Sequence, residues 1–290
     1  MTPPPIGPMT KLTIALLHPG DMGAALGTCL VANGHHVVWA SAGRSPATRT
    51  RADAAGLEDK VTLGRAVAAA DIVLSVCPPH AALDLAEEVA ALEFEGLYVD
   101  CNAIAPDTTR EVGALVEAAQ ARFVDGGIIG PPPVKVGVTR LYLSGPQAAE
   151  VAALFKGSLT DARVVKGPVG AASALKVAYA AWNKGSIAML AAVRTFAQVE
   201  GVDAELLAEW AISQPDLPKR SEAITAQSYK AWRWIAEMDE IATSFASAGV
   251  PPGFYEAAAE LYRRLEDFKN PAAPPSMKEI TKRIAQGEDQ

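Results

Sequence analysis

LTIALLHPGDMG, residues 12–23, runs from an apolar β-run ending at Leu17, through a glycine-bearing turn, into an apolar helix opened by Asp21-Met22-Gly23. A strand, a tight turn and a helix in that order suit a nucleotide pyrophosphate. Backbone N–H groups at the helix start point outward, and the helix dipole favours negative charge there. Gly20 lets the backbone approach phosphate, and Gly23 lets the helix pack closely on the strand. His18 stands where the first glycine of a G-x-G-x-x-G fingerprint would be. Short glycine-bearing turns are common, so the motif needs support from the rest of the chain.

That support lies in the alternation that follows. Apolar β-runs fall at 12–17, 36–40, 71–76, 96–100, 122–125, 139–143 and 162–165. Between most of them lie Ala-, Leu- and Glu-rich stretches of helical period, such as 80–92 and 107–121. This pattern predicts a doubly wound, Rossmann-like α/β domain, a parallel sheet with helices on both faces. Beyond Gly167 the β-runs stop. Helical patterns cover about 169–200, 203–213, 219–246 and 252–268, with one more short helix in the tail. The predicted division is a flexible leader at 1–10, a nucleotide-binding domain at 11–167 and an all-α domain at 168–290.

Composition narrows the partners. The 290 residues are 50% apolar and carry a net charge of −7, with a pI near 5.2. An acidic chain of this kind is expected to bind neither nucleic acid nor an anionic membrane. Cys29, Cys77 and Cys101 are odd in number, lie far apart and form no C-x-x-C pair. They read as reduced thiols of a cytoplasmic protein, with no metal site. MTPPPIGPMT at the start lacks the basic and apolar regions of a signal peptide. Lys176, Asn183, Lys184 and Arg194 interrupt the long apolar helix, which is therefore not expected to span a bilayer.

The residue closing the second strand selects the nicotinamide cofactor. An acid there, ~20 residues after the glycine turn, would hold the ribose 2′-hydroxyl of NAD. VVWASAGRSPATRTR has no acid between Val37 and Arg51. Ser41, Arg44 and Ser45 can instead bind a 2′-phosphate, with Arg49 or Arg51 adding charge, so NADP is expected over NAD. A solvated basic loop is the alternative. The turn at Cys77-Pro78 ends the strand before it, at the sheet edge where the cofactor should pass. Cys77 reads as a packing residue rather than a nucleophile. The expected cofactor-binding set is thus His18, Pro19, Gly20, Asp21, Met22, Gly23, Ser41, Arg44, Ser45, Cys77, Pro78 and Asn102.

GPVGAASALKVAYAAWNKG, residues 167–185, is the second informative stretch. Lys176 lies about two turns into a helix among Ala, Leu and Val, and Tyr179, Ala180 and Asn183 share its face. Desolvation on an apolar face lowers a lysine pKa and fits it for general acid/base work. The other reading is a lysine that snorkels to the surface. Asp100 and Asp125 end strands, where turn N–H groups rather than catalysis would use them.

HPGDMG, DCNAIAP (100–106), VDGGIIGPPP (124–133) and GPVGAASALK (167–176) occur in the order and spacing of the β-hydroxyacid dehydrogenases and 6-phosphogluconate-dehydrogenase-like reductases. The chain resembles that superfamily over nearly its whole length, and within it the sparsely characterised phosphogluconate-dehydrogenase-like branch. The resemblance implies an NAD(P)-binding Rossmann domain, a long interdomain helix, a helical domain that dimerises, and a pocket in the cleft between the domains. It makes Lys176 the catalytic lysine.

Departures from the pattern fall on the substrate side. Asn102 and Ala103 replace a Ser-Thr pair that holds a carboxylate, and Ile129-Gly130-Pro131 replaces Ser-Gly-Gly. Tyr179 and Ala180 replace an asparagine pair. Met238 replaces a later lysine, with Asp239 kept. The chain also lacks the large extra helical domain of 6-phosphogluconate dehydrogenase, so that activity itself is not expected. Asn102, Gly127, Gly130, Lys176 and Asn183 are the expected substrate contacts, with Lys176, Tyr179 and Asn102 as the catalytic group.

The expected function is NADP(H)-dependent interconversion of a hydroxyl and a carbonyl on a small polar substrate, by a homodimer, with Lys176 moving the proton. Two alternatives differ in chemistry or class. One is C=N reduction of the imine-reductase type, disfavoured by retention of the lysine. The other is a non-catalytic NADP-binding sensor, which would need no lysine in an apolar cleft.

Overall fold

A computed structural model describes residues 11–269 and 273–286; the leader predicted at 1–10 lies outside them. The chain forms two compact units, up to Lys176 and from Val177 onward. In the first, β1 (Thr13–Leu17), α1 (Asp21–Ala32), β2 (His36–Trp39), α2 (Pro46–Ala54), β3 (Glu58–Asp59) and α3 (Leu63–Ala68) come in that order. They are followed by β4 (Ile72–Ser75), α4 (Ala82–Ala90), β5 (Leu97–Asp100), α5 (Pro106–Ala118) and β6 (Arg122–Ile129). β7 (Thr139–Ser144), α6 (Ala148–Leu154) and β8 (Thr160–Val164) complete it. α7 (Ala171–Val199) begins in the first unit and continues into the second, which adds α8 (Asp203–Ser213), α9 (Leu217–Ser221) and α10 (Ala223–Gln227). α11 (Ala231–Ser247), α12 (Gly253–Arg264) and α13 (Met277–Gln286) follow.

The eight strands form one sheet in the order β3-β2-β1-β4-β5-β6-β7-β8. All neighbours are parallel except β6 and β7, which are joined by a hairpin loop. The Rossmann-like fold expected from the alternation is therefore present, with one antiparallel step between β6 and β7. Parallel strands covered on both faces bury every side chain, which is why β1, β4 and β5 read as continuous apolar runs. One core layer lies around Leu16, Leu26, Trp39 and Leu74, the other around Val38, Val73, Tyr98 and Phe123. β3 has only two residues, both charged and exposed, and carries no hydrophobic signal by which to predict it.

Register decides what shares the functional edge. Leu17, Ser75, Asp100, Asp125 and Ser144 lie in one row across β1, β4, β5, β6 and β7. The turn that follows Leu17 and the two buried aspartates therefore sit at the same carboxyl edge, where open α/β sheets bind their ligands.

α7 spans 29 residues without a proline and is rich in alanine, the best helix former. The second unit packs around Ala180, Ala191, Trp234, Met238, Tyr262 and Ile280. The stretch predicted as one helix at 219–246 is broken into α9, α10, a short 3-10 turn at Ser228–Lys230 and α11. Hydroxyl groups mark the breaks: Ser221, Thr225 and Ser228 each donate to a carbonyl three residues back, offering the backbone an alternative to the helical ladder.

Candidate functional site

The glycine turn has the geometry its sequence implies, with one substitution. His18 adopts φ +64°, the left-handed conformation that glycine enters without cost. Its carbonyl oxygen would lie 2.6 Å from a Cβ at Gly23, so α1 can sit this close only with glycine there. Gly20 faces open space and caps α1 with no side-chain hydrogen bond, leaving the first N–H groups of the helix available to an anion. Arg51 donates to the Pro19 carbonyl at 3.4 Å and pairs with exposed Asp21 at 3.6 Å, tying α2 to the turn. Pro19 is buried and Met22 half-buried against the core.

A cavity of about 400 Å³ opens beside the turn, lined by His18 and Arg44 among others. Burial, and then the Arg44 charge, lower the His18 pKa to about 4, so its ring is neutral at physiological pH. His18 Nδ1 is buried with no hydrogen-bond partner among the described residues. An uncapped helix start, an open glycine, an orphaned ring nitrogen and a guanidinium beside a nucleoside-sized cavity fit a dinucleotide.

The loop after β2 divides differently from the sequence expectation. Ser41 is buried and turned inward: its N–H and its hydroxyl both bond Asp59, and its carbonyl accepts from Arg49 at 3.0 Å. Ser41 is thus not presented to a 2′-phosphate. Ser45 caps α2, its Oγ accepting from the Thr48 N–H at 3.2 Å. Arg44 alone of the expected trio faces the cavity. Asp59, which sequence reasoning missed, organises this loop by accepting from Ser41 and Val61 N–H groups. Its signal was the two-residue strand that carried no hydrophobic pattern.

The ends of β4 and β5 are locked together by Asn102. Its Oδ1 accepts from the Cys77 N–H at 2.6 Å, while its Nδ2 donates to Ser75 Oγ at 3.0 Å and Asp100 Oδ2 at 2.8 Å. Both amide hydrogens are spent inside, so Asn102 does not offer the expected donor to a substrate. It holds the turn at Cys77 and Pro78 in place instead. Burial, with the Asp100 charge second, pushes the Cys77 thiol up to about 12, in keeping with a packing residue. Pro78 is exposed at the turn. Asp100 accepts from the Asn102 N–H at 2.9 Å; burial pushes its carboxyl up to about 7, against those hydrogen bonds and reinforced by Asp125.

Asp125 is the organising residue of the other half of the site. Its Oδ2 accepts from the N–H groups of Gly170, Ala172 and Ser173 at 2.9, 2.9 and 3.2 Å, and from Ser144 Oγ at 2.7 Å. Its Oδ1 accepts from Ser173 Oγ at 2.6 Å. A carboxylate at the positive end of a helix satisfies both the orphan N–H groups and the dipole. The expectation that strand-end aspartates serve turn N–H groups holds for both aspartates. The N–H partners of Asp125, however, lie 45–48 residues away and could not be read from local sequence.

Lys176 follows one turn after this anchor and is half-buried. A Cβ built on Gly127 would meet the Ala172 carbonyl oxygen at 2.6 Å and Lys176 Cβ at 3.1 Å. Gly127 therefore lets α7 lie directly on β6 and sets the root of the lysine against the sheet. Gly130, at φ +115°, turns the chain between β6 and β7, where a Cβ would strike the Val138 carbonyl. Tyr179 is exposed one turn on, and half-buried Asn183 donates to the Tyr179 carbonyl at 2.9 Å. Met238, which stands for a lysine in the resemblance, is fully buried core.

Residues 13–153 match the family model described as the NAD binding domain of 6-phosphogluconate dehydrogenase. The first unit therefore carries an NAD-binding domain of that type. Residues 197–265 match a second model, a domain of unknown function. An uncharacterized 28.5 kDa protein of Methanothermus fervidus is 31% identical over 165 residues, covering 57% of this chain and 63% of that relative. A conserved protein of unknown function, described as structurally similar to 3-hydroxyacid dehydrogenases, matches with TM-score 0.70 and 26% identity over 89% of this chain and 98% of its own. The fold is shared with 3-hydroxyisobutyrate dehydrogenase of Mycobacterium tuberculosis, at TM-score 0.68, 20% identity and coverage of 94% and 99%. It is shared too with an imine reductase of Bacillus cereus, at TM-score 0.56, 19% identity and coverage of 95% and 99%. Among the described residues, no helix is long and apolar enough to cross a membrane, and no His/Cys/Asp/Glu cluster could hold a metal.

Proposed function

We propose that this protein is an NADP(H)-dependent oxidoreductase that interconverts a hydroxyl and a carbonyl on a small polar substrate, with Lys176 as general acid/base. The observation that carries the proposal is the placement of Lys176 one turn from the Asp125 anchor, on the sheet edge that also bears the glycine turn. When bound, the nicotinamide donates or accepts hydride. The chain supplies the rest. The α1 N-terminus, with Gly20 and Gly23, would hold the pyrophosphate, and Arg44 the 2′-phosphate. Lys176 would protonate the oxygen formed by reduction, or take the hydroxyl proton in oxidation. Fixing that amine by a capped helix and a close helix–strand contact is the orientation on which rate depends.

The loss of hydroxyl groups at Asn102, Ala103 and Ile129 supports a substrate held less by its carboxylate than a short 3-hydroxyacid would be. A second reading, reduction of a C=N bond, is favoured by the shared fold of imine reductases and disfavoured by Lys176. The exposed apolar stripe Leu175, Trp182, Met189 and Phe196, spaced seven residues apart on α7, supports a homodimer formed through that helix. Three free, buried cysteines support a cytoplasmic location.

The deciding experiment compares wild type with Lys176→Ala. NADPH binding is read by fluorescence, and turnover against a panel of keto acids and cyclic imines. The proposal expects binding to survive and carbonyl turnover to fall by ~10²-fold or more. Undiminished turnover in Lys176→Ala would refute the assigned role, and a wild type active on cyclic imines alone would favour the second reading.

A further inference from the structure

The cavity beside the glycine turn has a chemistry that its position alone does not explain. Part of its wall is apolar: Leu17 from the end of β1, Ala40 after β2, Leu63 of α3 and Leu85 of α4. A flat aromatic ring fits such a slot, and about 400 Å³ accommodates a nucleoside. Besides Arg44, the lining holds two carboxylates, Asp84 and Glu88. They stand four residues apart on α4 and so share one helical face. Two acids placed together on a ligand-sized apolar slot offer acceptors only, because an ionised carboxylate has no hydrogen to donate.

We infer that Asp84 and Glu88 read the base of the dinucleotide, accepting from the 6-amino group of adenine. The inference rests on the cofactor assignment proposed above and deepens it. Adenine presents a donor at position 6, whereas a 6-oxo purine presents an acceptor there. A 6-oxo ring would set a carbonyl against two carboxylates, acceptor facing acceptor, with no hydrogen to share. The N–H that such a ring gains at N1 could serve one carboxylate, but the carbonyl beside it would still face the other. Arg44 in the same cavity supplies the opposite need, a donor for the phosphorylated ribose.

Fluorescence titration of the full-length protein with NADPH and with its 6-deamino analogue, which carries hypoxanthine, tests this directly. Wild type should bind NADPH about tenfold more tightly than the analogue. The double variant Asp84→Asn/Glu88→Gln should bring the two affinities within about twofold, because amides can donate to a 6-oxo group as well as accept from an amine. Both residues are exposed, and circular dichroism checks that the variant keeps its fold. Equal affinities in wild type, or a preference that survives the double substitution, would overturn the base reading while leaving the cofactor assignment intact. Failure of wild type to bind either dinucleotide would overturn both.

Discussion

Replacing Asp125 isolates what holds the lysine-bearing helix to the sheet. In Asp125→Ala, five donors lose their acceptor. Three of them can recover: Ser144 and Ser173 hydroxyls can rotate, and the Ala172 N–H keeps Ser144 Oγ at 3.1 Å. The Gly170 and Ser173 N–H groups are left buried and unpaired, at about 1–3 kcal/mol each. Loss of the charge at the helix N-terminus adds up to ~2 kcal/mol in a buried geometry. The sum is roughly 4 kcal/mol, a large share of the ~5–15 kcal/mol that stabilises an ordinary domain. Asp125→Asn keeps an acceptor oxygen at the Oδ2 position and can donate to Ser173 Oγ, so it loses only the charge term, about 1–2 kcal/mol. Urea unfolding followed by circular dichroism measures both variants. A loss in Asp125→Ala below about 1 kcal/mol, or equal losses in the two variants, would refute the claim that the hydrogen bonds rather than the charge carry the anchor.

Other expectations follow from single contacts. Gly127→Ala should destabilise the protein by roughly 1–3 kcal/mol through overpacking against the Ala172 carbonyl, and reduce kcat more than NADPH affinity, read by unfolding and by titration. The carboxyl of Asp100 is raised in the folded state from 3.8 to about 7, so the native state holds its proton more tightly than the unfolded one. Stability from this group therefore falls as pH rises from about 4 to 7, and Asp100→Asn should gain on wild type by roughly 2 kcal/mol between pH 5 and 8. Parallel pH profiles for the two proteins would contradict this. Trp182→Glu/Phe196→Glu should turn a homodimer into a monomer by light scattering, because it puts charge into the apolar stripe.

The parts of this molecule legible in its sequence are those set by local pattern. Apolar runs with period-two or uniform burial gave seven strands, and Gly20 and Gly23 marked the turn because their function is steric and local. What escaped was decided by partners far along the chain. Asn102 looked like a substrate donor until Cys77, Ser75 and Asp100 were seen to use its whole amide. Ser41 sat at the right distance for a 2′-phosphate, but Asp59 on an exposed two-residue strand turns it inward. The break of the helical stretch at 219–246 came from hydroxyl groups that a periodicity count treats as neutral surface.

Every contact described for the root of Lys176 comes from the sheet-bearing half: Asp125 through the helix start, and Gly127 through the strand beneath. The backbone that carries Lys176 is thus registered against the strand that ends at the Asp125 anchor. A change at Asp125 or Gly127 would shift the proposed proton donor without altering the donor itself.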